Sequence, residues 1–318
     1  MSAGWAAATV RARAATSRRL GSAGVRTLAA TTSWDEALAA LAAGPYGREV
    51  RQGQDLARAQ HAVAATFLWN VRVLAGWLPR ERSDVLRVIS GWAEIANVDD
   101  LLRSLHGRPS GLPEYQLGSL ATAWPRLSGA ADPARLRAEL ASSAWTDPGG
   151  EDNRAIQLGM RLALAARVSS AAPGARRWAD GAAALVLARA LTDGAAAGSS
   201  VPHDLVARAL GPATARAVTN QTVGDIGADL VGLSASLPSS ARWAMVDVTR
   251  LEDLWQAEAR WWRTVDDNAR SMVRSSGFDL VPVLGAVALL AVDAWRVRAA
   301  LELAARGGAP LELFDAVV

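Results

Sequence analysis

Residues 54–78 read QDLARAQHAVAATFLWNVRVLAGWL, and the placement of their apolar side chains decides the fold class. Leu56, Ala59, Val63, Phe67, Val71, Leu74 and Leu78 follow one another at steps of three and four only. That spacing lines one face of a helix; a strand, with its period of two, would scatter the same residues over both faces. Residues 250–273, RLEDLWQAEARWWRTVDDNARSMV, repeat the pattern through Leu251, Leu254, Ala257, Trp261, Val265, Ala269 and Met272. No alternating run of comparable length occurs, and alanine, leucine and arginine, all abundant here, are strong helix formers. The chain is predicted to be all-α.

The longest uncharged apolar run is LVPVLGAVALLAV, thirteen residues (280–292) between Asp279 and Asp293. A bilayer span needs about 20 residues, so this run predicts a buried helix and no transmembrane segment. Helix breakers stand at 107–113 (GRPSGLP), 147–150 (DPGG), 193–202 (DGAAAGSSVP), 232–240 (GLSASLPSS) and 307–310 (GGAP). Three of them follow similar helices. Glu94, Asn97, Leu101, Arg103 and Gly107 align with Asp180, Ala183, Leu187, Arg189 and Gly194, and again with Asp293, Arg296, Ala300, Glu302 and Gly307. An acidic residue starts each predicted helix, and a proline and a new amphipathic start follow each glycine: Leu112-Pro113-Glu114, Val201-Pro202-His203-Asp204 and Ala309-Pro310-Leu311-Glu312. Leu41 to Tyr46 and Leu140 to Trp145 share a five-residue spacing at two block openings. These matches predict three helical modules, at 1–112, 113–200 and 201–318.

Composition closes many chemical routes. All 34 basic residues are arginine, there is no cysteine, and His61, His106 and His203 stand far apart. A P-loop lysine, a Schiff-base lysine, a thiol nucleophile and a cysteine zinc site are therefore excluded. The sequence pI near 10.3 reflects arginine in place of lysine; the net charge is only +3. Residues 1–34 hold Arg11, Arg13, Arg18, Arg19 and Arg26 and no acid, which reads as a first helix with a solvated basic face, although transit peptides share that composition.

Asp99-Asp100 and Asp266-Asp267 invite a magnesium-diphosphate reading. One turn on, however, stand Arg103 and Arg270 rather than further carboxylates, so both pairs read as ion pairs on solvated helix faces. His203 beside Asp204 reads as a helix start. Of Trp261 and Trp262, one is expected in the core and the other at a partner.

Taken together, these stretches resemble the C subunit (d in vacuolar enzymes) of archaeal- and vacuolar-type rotary ATPases. Ser33 to Gly47 (SWDEALAALAAGPYG) is similar to the family's short helix and Pro-Tyr-Gly-like turn; the long helix at 54–78 and the Glu94, Asn97, Arg103, Gly107 series follow in the family's order. Pro282-Val283-Leu284-Gly285 and Asp293 to Arg298 resemble its last module. Ala183 and Arg296 depart from the asparagine of that motif, and Leu289 stands in a region that often carries charge. The resemblance, over residues 5–314, implies three modules in a pseudo-threefold funnel seated on the membrane proteolipid (c) ring and receiving the central shaft. It implies torque coupling for proton or sodium transport at a cytoplasmic, membrane-peripheral location. No catalytic, cofactor-binding or metal residue is implied. Candidate structural or interaction residues are Tyr46, Glu94, Asn97, Arg103, Asp180, Arg189, Trp262, Asp293 and Arg298. A helical-repeat adaptor or regulatory protein is the alternative, with a prenyl-transfer enzyme and a nucleic-acid binder behind it.

Overall fold

The computed structural model describes residues 3–79, 82–194, 201–219, 230–308 and Phe314. Among them every regular element is helical and no strand occurs. The first helices are α1 (Ala3–Thr16), α2 (Gly21–Ala29), α3 (Trp34–Ala43), α4 (Leu56–Ala75), α5 (Ser83–Ile89) and α6 (Gly91–Leu105). The middle holds α7 (Trp124–Leu127), α8 (Pro133–Ala141), α9 (Asn153–Ala171), α10 (Arg176–Gly194), α11 (His203–Leu210) and α12 (Pro212–Thr219). Then come α13 (Leu230–Ser236), α14 (Ser239–Arg242), α15 (Leu254–Arg274) and α16 (Leu280–Ala305). Side-chain caps fix several starts: Ser33, Asp55, Asp132, Asp152 and Asp279 each accept a backbone N–H from the first turn that follows.

The chain gathers into two compact units: Met1–Ser83 with Leu112–Gln116 and Trp262–Val318, and Asp84–Gly111 with Leu117–Trp261. The first unit is built on α16, against which α1, α2, α3 and α4 pack. From Pro282 to Leu290 every residue of α16 is buried; beyond Asp293 burial narrows to Ala294, Arg296, Val297, Ala300, Leu301 and Ala304. Each fully buried Leu or Val there contributes about 1.5–3 kcal/mol. At 26 residues the helix outruns its thirteen-residue apolar core and is long and apolar enough to cross a bilayer, but 78% of its most apolar window is covered by the rest of the protein. Gly285 lets α15 approach: a Cβ there would lie 2.8 Å from the Ala269 carbonyl oxygen.

The N-terminal arginines are not simply a solvated face. Arg13 Nε donates to the Val273 carbonyl at 3.2 Å, and a second guanidinium nitrogen reaches Ser275 O. Carbonyls at a helix C-terminus lack intrahelical donors, and Arg13 supplies them for α15. Arg11 lies 3.4 Å over the Trp77 ring.

In the second unit α9 packs along α10, α6 and α11 pack on α9, and α14 packs on α10. Trp145 is the largest fully buried side chain, set among Leu102, Leu127, Leu136, Leu140, Ile156 and Leu162.

Several local expectations need correction. Leu251 is exposed, because a 3-10 turn at Leu251–Asp253 precedes α15 and takes it off the apolar stripe. No helix starts at Pro113; residues 108–117 are irregular. Gly232 does not break α13, since Leu230, Leu233 and Leu237 form a buried stripe through it. Asp293 does not start its helix but lies in the middle of α16, because the apolar run ahead of it is itself helical. Val201 and Pro202 lead into α11 as expected, with Pro202 at its N-cap. Residues 195–200 of one breaker and 309–313 of the last repeat lie outside the described residues.

Candidate functional site

Two buried carboxylates organise the candidate residues, one in each unit. Glu94, in the first turn of α6, is fully buried. Its Oε2 accepts the Thr122 N–H at 2.7 Å; its Oε1 accepts the Ala123 N–H at 2.8 Å and the Trp145 indole N–H at 2.6 Å. The two backbone donors, Thr122 and Ala123, stand immediately before α7, so the carboxylate fastens the approach to that helix. A buried carboxylate without partners would be prohibitively costly, and here three donors replace its water.

Asp293 repeats this arrangement in the first unit. Its Oδ1 accepts the Gly21 N–H at 2.8 Å, and its Oδ2 accepts the Leu20 N–H at 3.0 Å and the Tyr46 hydroxyl at 2.8 Å. Gly21 opens α2, as Trp124 opens α7. Burial, followed by the Asp293 charge and hydrogen bond, pushes the Tyr46 phenol well above its ordinary range. An arginine attends each carboxylate. Arg167 stacks 4.6 Å from the Trp145 ring, donates to Thr122 Oγ1 at 3.2 Å and feels Glu94; Arg19 feels Asp293. Burial lowers both guanidinium pKa values, with each carboxylate opposing the shift.

The copies agree element by element. The Ser33-capped α3 leads to Tyr46 and then to the Asp55-capped α4; the Asp132-capped α8 leads to Trp145 and then to the Asp152-capped α9. The acid-bearing helices also end alike. Arg108 N–H reaches Arg103 O at 2.9 Å around Gly107, and Gly308 N–H reaches Leu303 O at 3.0 Å around Gly307. Both of those glycines have φ near the left-handed value, +70° and +83°.

The remaining candidates are dispersed. Asn97 is buried one turn after Glu94. Arg103 pairs with Asp100 at 3.2 Å, and Arg189 with Glu258 at 2.7 Å, both largely in solvent. Asp180 is buried in α10, 3.9 Å from the exposed Arg176. Arg298 is exposed on α16. Trp262 stacks on Trp295 with ring centroids 5.1 Å apart, while the Trp261 indole donates to Trp178 O at 2.9 Å. Both tryptophans are half-buried.

The acidic pairs divide differently from expectation. Asp100 makes the i,i+3 pair, but Asp99 turns to Arg161 on α9 at 2.6 Å. Asp266 is not on a solvated face. It is buried and accepts from Arg270 at 2.9 Å and Arg296 at 3.0 Å, because α16 covers that side of α15. Arg19, Trp145, Arg167 and Arg296 escaped the sequence reading as site residues; the five-residue leucine-to-aromatic spacing was the signal for Trp145. Among the described residues no group of three or more His, Cys, Asp or Glu is placed to hold a metal. Chemically, each carboxylate spends both oxygens on fastening a helix start and an aromatic side chain.

Comparison with protein-family models and with curated proteins finds no match.

Proposed function

We infer that this chain is a non-catalytic central-stalk subunit of an archaeal/vacuolar-type rotary ATPase, coupling a proteolipid ring to the central shaft during proton or sodium transport. The observation that carries the reading is the duplicated carboxylate fastening, Glu94 with Trp145 and Asp293 with Tyr46, set in helices of matching order. It gives the internal repeat a physical basis, and the repeat is one part of the resemblance to that family, beside the order of elements over residues 5–314. A third, degenerate copy, relating Asp180 to the segment Ala241–Val246, is part of the proposal. Ala241 and Val246 stand at the same five-residue spacing as Leu140 and Trp145. Thr146 and Asp247, the residues just after, have positive φ of 67° and 58°, which non-glycine residues seldom adopt. The Val246 side chain has no donor to match the Trp145 indole or the Tyr46 hydroxyl, consistent with decay of that copy.

A torque-bearing part needs stiffness more than reactive groups, and hydrogen-bonded helix starts within close-packed modules supply it. The modules 1–112, 113–200 and 201–318 would form the pseudo-threefold funnel, cytoplasmic and held at the membrane through its partners. The test is co-assembly. The purified chain, mixed with the shaft subunits and detergent-solubilised proteolipid ring of its own organism, is expected to co-elute with both. Failure to bind either one overturns the reading.

A further inference from the structure

The outer side of α1 and the end of α4 set exposed apolar side chains among arginines. On α1, Ala6, Val10 and Ala14 recur at steps of four and all are exposed, Val10 by 59%. Arg11 is exposed beside Val10, and Arg18 stands exposed just beyond the helix end. On the last turn of α4, Arg72 and Val73 are exposed. Gly76 and Trp77 continue the same face, since the Trp77 N–H still donates to Leu74 O at 3.0 Å. Val73 is 37% exposed and Trp77 43%. α1 packs on α4, and the Arg11 guanidinium, 3.4 Å over the Trp77 ring, joins the two faces. No acidic residue occurs in residues 1–34 or 56–80, and both helices fall within those stretches. Among the described residues, Arg18 and Arg72 make no ion pair.

Charge selects an anionic partner, and the apolar side chains select among anionic partners. A nucleic acid is gripped by a basic groove with open aromatic faces on which bases stack. Here Arg11 already covers Trp77, and Val10, Val73 and the alanines have nothing to meet on a phosphate backbone. A bilayer with anionic lipids supplies both partners at once: headgroups for the guanidiniums and, a few ångströms below, an acyl layer for the valines. Tryptophan concentrates at that level, with its ring body apolar and its N–H in water. We propose that this face docks flat on an anionic lipid surface, with Arg11, Arg18 and Arg72 at headgroup phosphates and Val10, Val73 and Trp77 entering the boundary below. Such docking needs no other subunit, so it stands or falls apart from the rotary-ATPase reading.

The full chain is sedimented with vesicles of phosphatidylcholine containing about 30% phosphatidylglycerol, and with vesicles of phosphatidylcholine alone. Binding is expected to be at least about tenfold tighter to the anionic vesicles and to fall as salt rises from about 50 to about 500 mM. An arginine near such a surface is worth about fivefold in affinity, so Arg18→Glu with Arg72→Glu should weaken binding about 25-fold or more. Val10→Ser with Val73→Ser should weaken it at least about threefold, through the lost apolar contact. All four positions are exposed, so both variants should keep the wild-type melting temperature. If the first does not, Arg18→Gln with Arg72→Gln is read in its place; if the second does not, Val10→Ala with Val73→Ala. Equal binding to both vesicles, no binding at about 5 mM lipid, or unchanged binding by either variant overturns the proposal. Binding of single-stranded DNA or poly-glutamate as tightly as the anionic vesicles, at equal charge concentration, also overturns it, by showing a general polyanion surface.

Discussion

The Tyr46 hydroxyl donates to the Asp293 carboxylate at 2.8 Å, joining positions 247 residues apart. A residue near the start of the chain thereby helps fasten the central helix near its end, and the same carboxylate holds the start of α2. The fastening closes one unit from both chain ends.

Tyr46→Phe removes one of three donors to a buried carboxylate and is expected to cost about 1–3 kcal/mol near neutral pH, measured by denaturant unfolding. The pH dependence has a definite sign. Burial and Asp293 raise the folded-state pKa of Tyr46 above the unfolded value of about 10. Its contribution is therefore whole below about pH 10 and is lost as pH climbs through the folded value. The Phe variant should show a shallower alkaline fall in stability. Tyr115, the other tyrosine, is also raised, chiefly by burial, and keeps its own share of that slope. An unchanged slope in the variant would count against this account of Tyr46.

Glu94→Gln tests the matching site. The amide retains one acceptor oxygen but turns an NH₂ toward donors, so at least one of the Thr122, Ala123 and Trp145 N–H groups is left unpaired. A loss of about 2–4 kcal/mol is expected. Trp145→Phe should cost about 1–3 kcal/mol through its lost donor and volume. Because the two side chains share a hydrogen bond, the double variant should lose less than the sum. Strict additivity would show that the 2.6 Å contact carries no coupling.

The all-α class was legible because core stripes such as that of α4 keep a strict period. The acidic residues of the repeat were legible as a pattern, but their role was not. Sequence spacing cannot show that Asp293 meets Leu20, Gly21 and Tyr46, contacts made only once the chain ends pack together. Arg13 and Asp266 misled for a related reason: on their own helices each reads as an exposed charge. Arg13 is recruited by carbonyls at the end of α15, and Asp266 is covered by Arg296 from α16.

Gly285 and Gly76 give opposite expectations for the same substitution. A Cβ at Gly285 would fall 2.7 Å from Met272 Cβ and 2.8 Å from a backbone oxygen, so Gly285→Ala must separate α15 from α16. A loss of about 1–3 kcal/mol is expected. At Gly76, with φ −66°, the nearest atom is 3.5 Å away. Gly76→Ala should be neutral or stabilise by up to about 1 kcal/mol, through the less flexible unfolded chain. Thermal melts of the two variants decide the matter, and equal destabilisation would contradict the α15–α16 packing.

The neighbouring Asp266 and Asp267 should respond very differently to asparagine. Asp267 is exposed, and its replacement should change stability by no more than about 0.5 kcal/mol. Asp266 is buried between Arg270 and Arg296, and the Arg296 side chain is itself 10% exposed. Asp266→Asn leaves that guanidinium facing a neutral amide in a place water hardly reaches, at a cost of about 3–5 kcal/mol. Most of this loss comes from the stranded charge rather than the value of the pair. Replacing both partners, Asp266→Leu with Arg296→Met, should therefore recover a large part of it. A double variant as unstable as Asp266→Asn would mean that Asp266 acts through Arg270, or by directing the packing of α15, and not chiefly by neutralising Arg296.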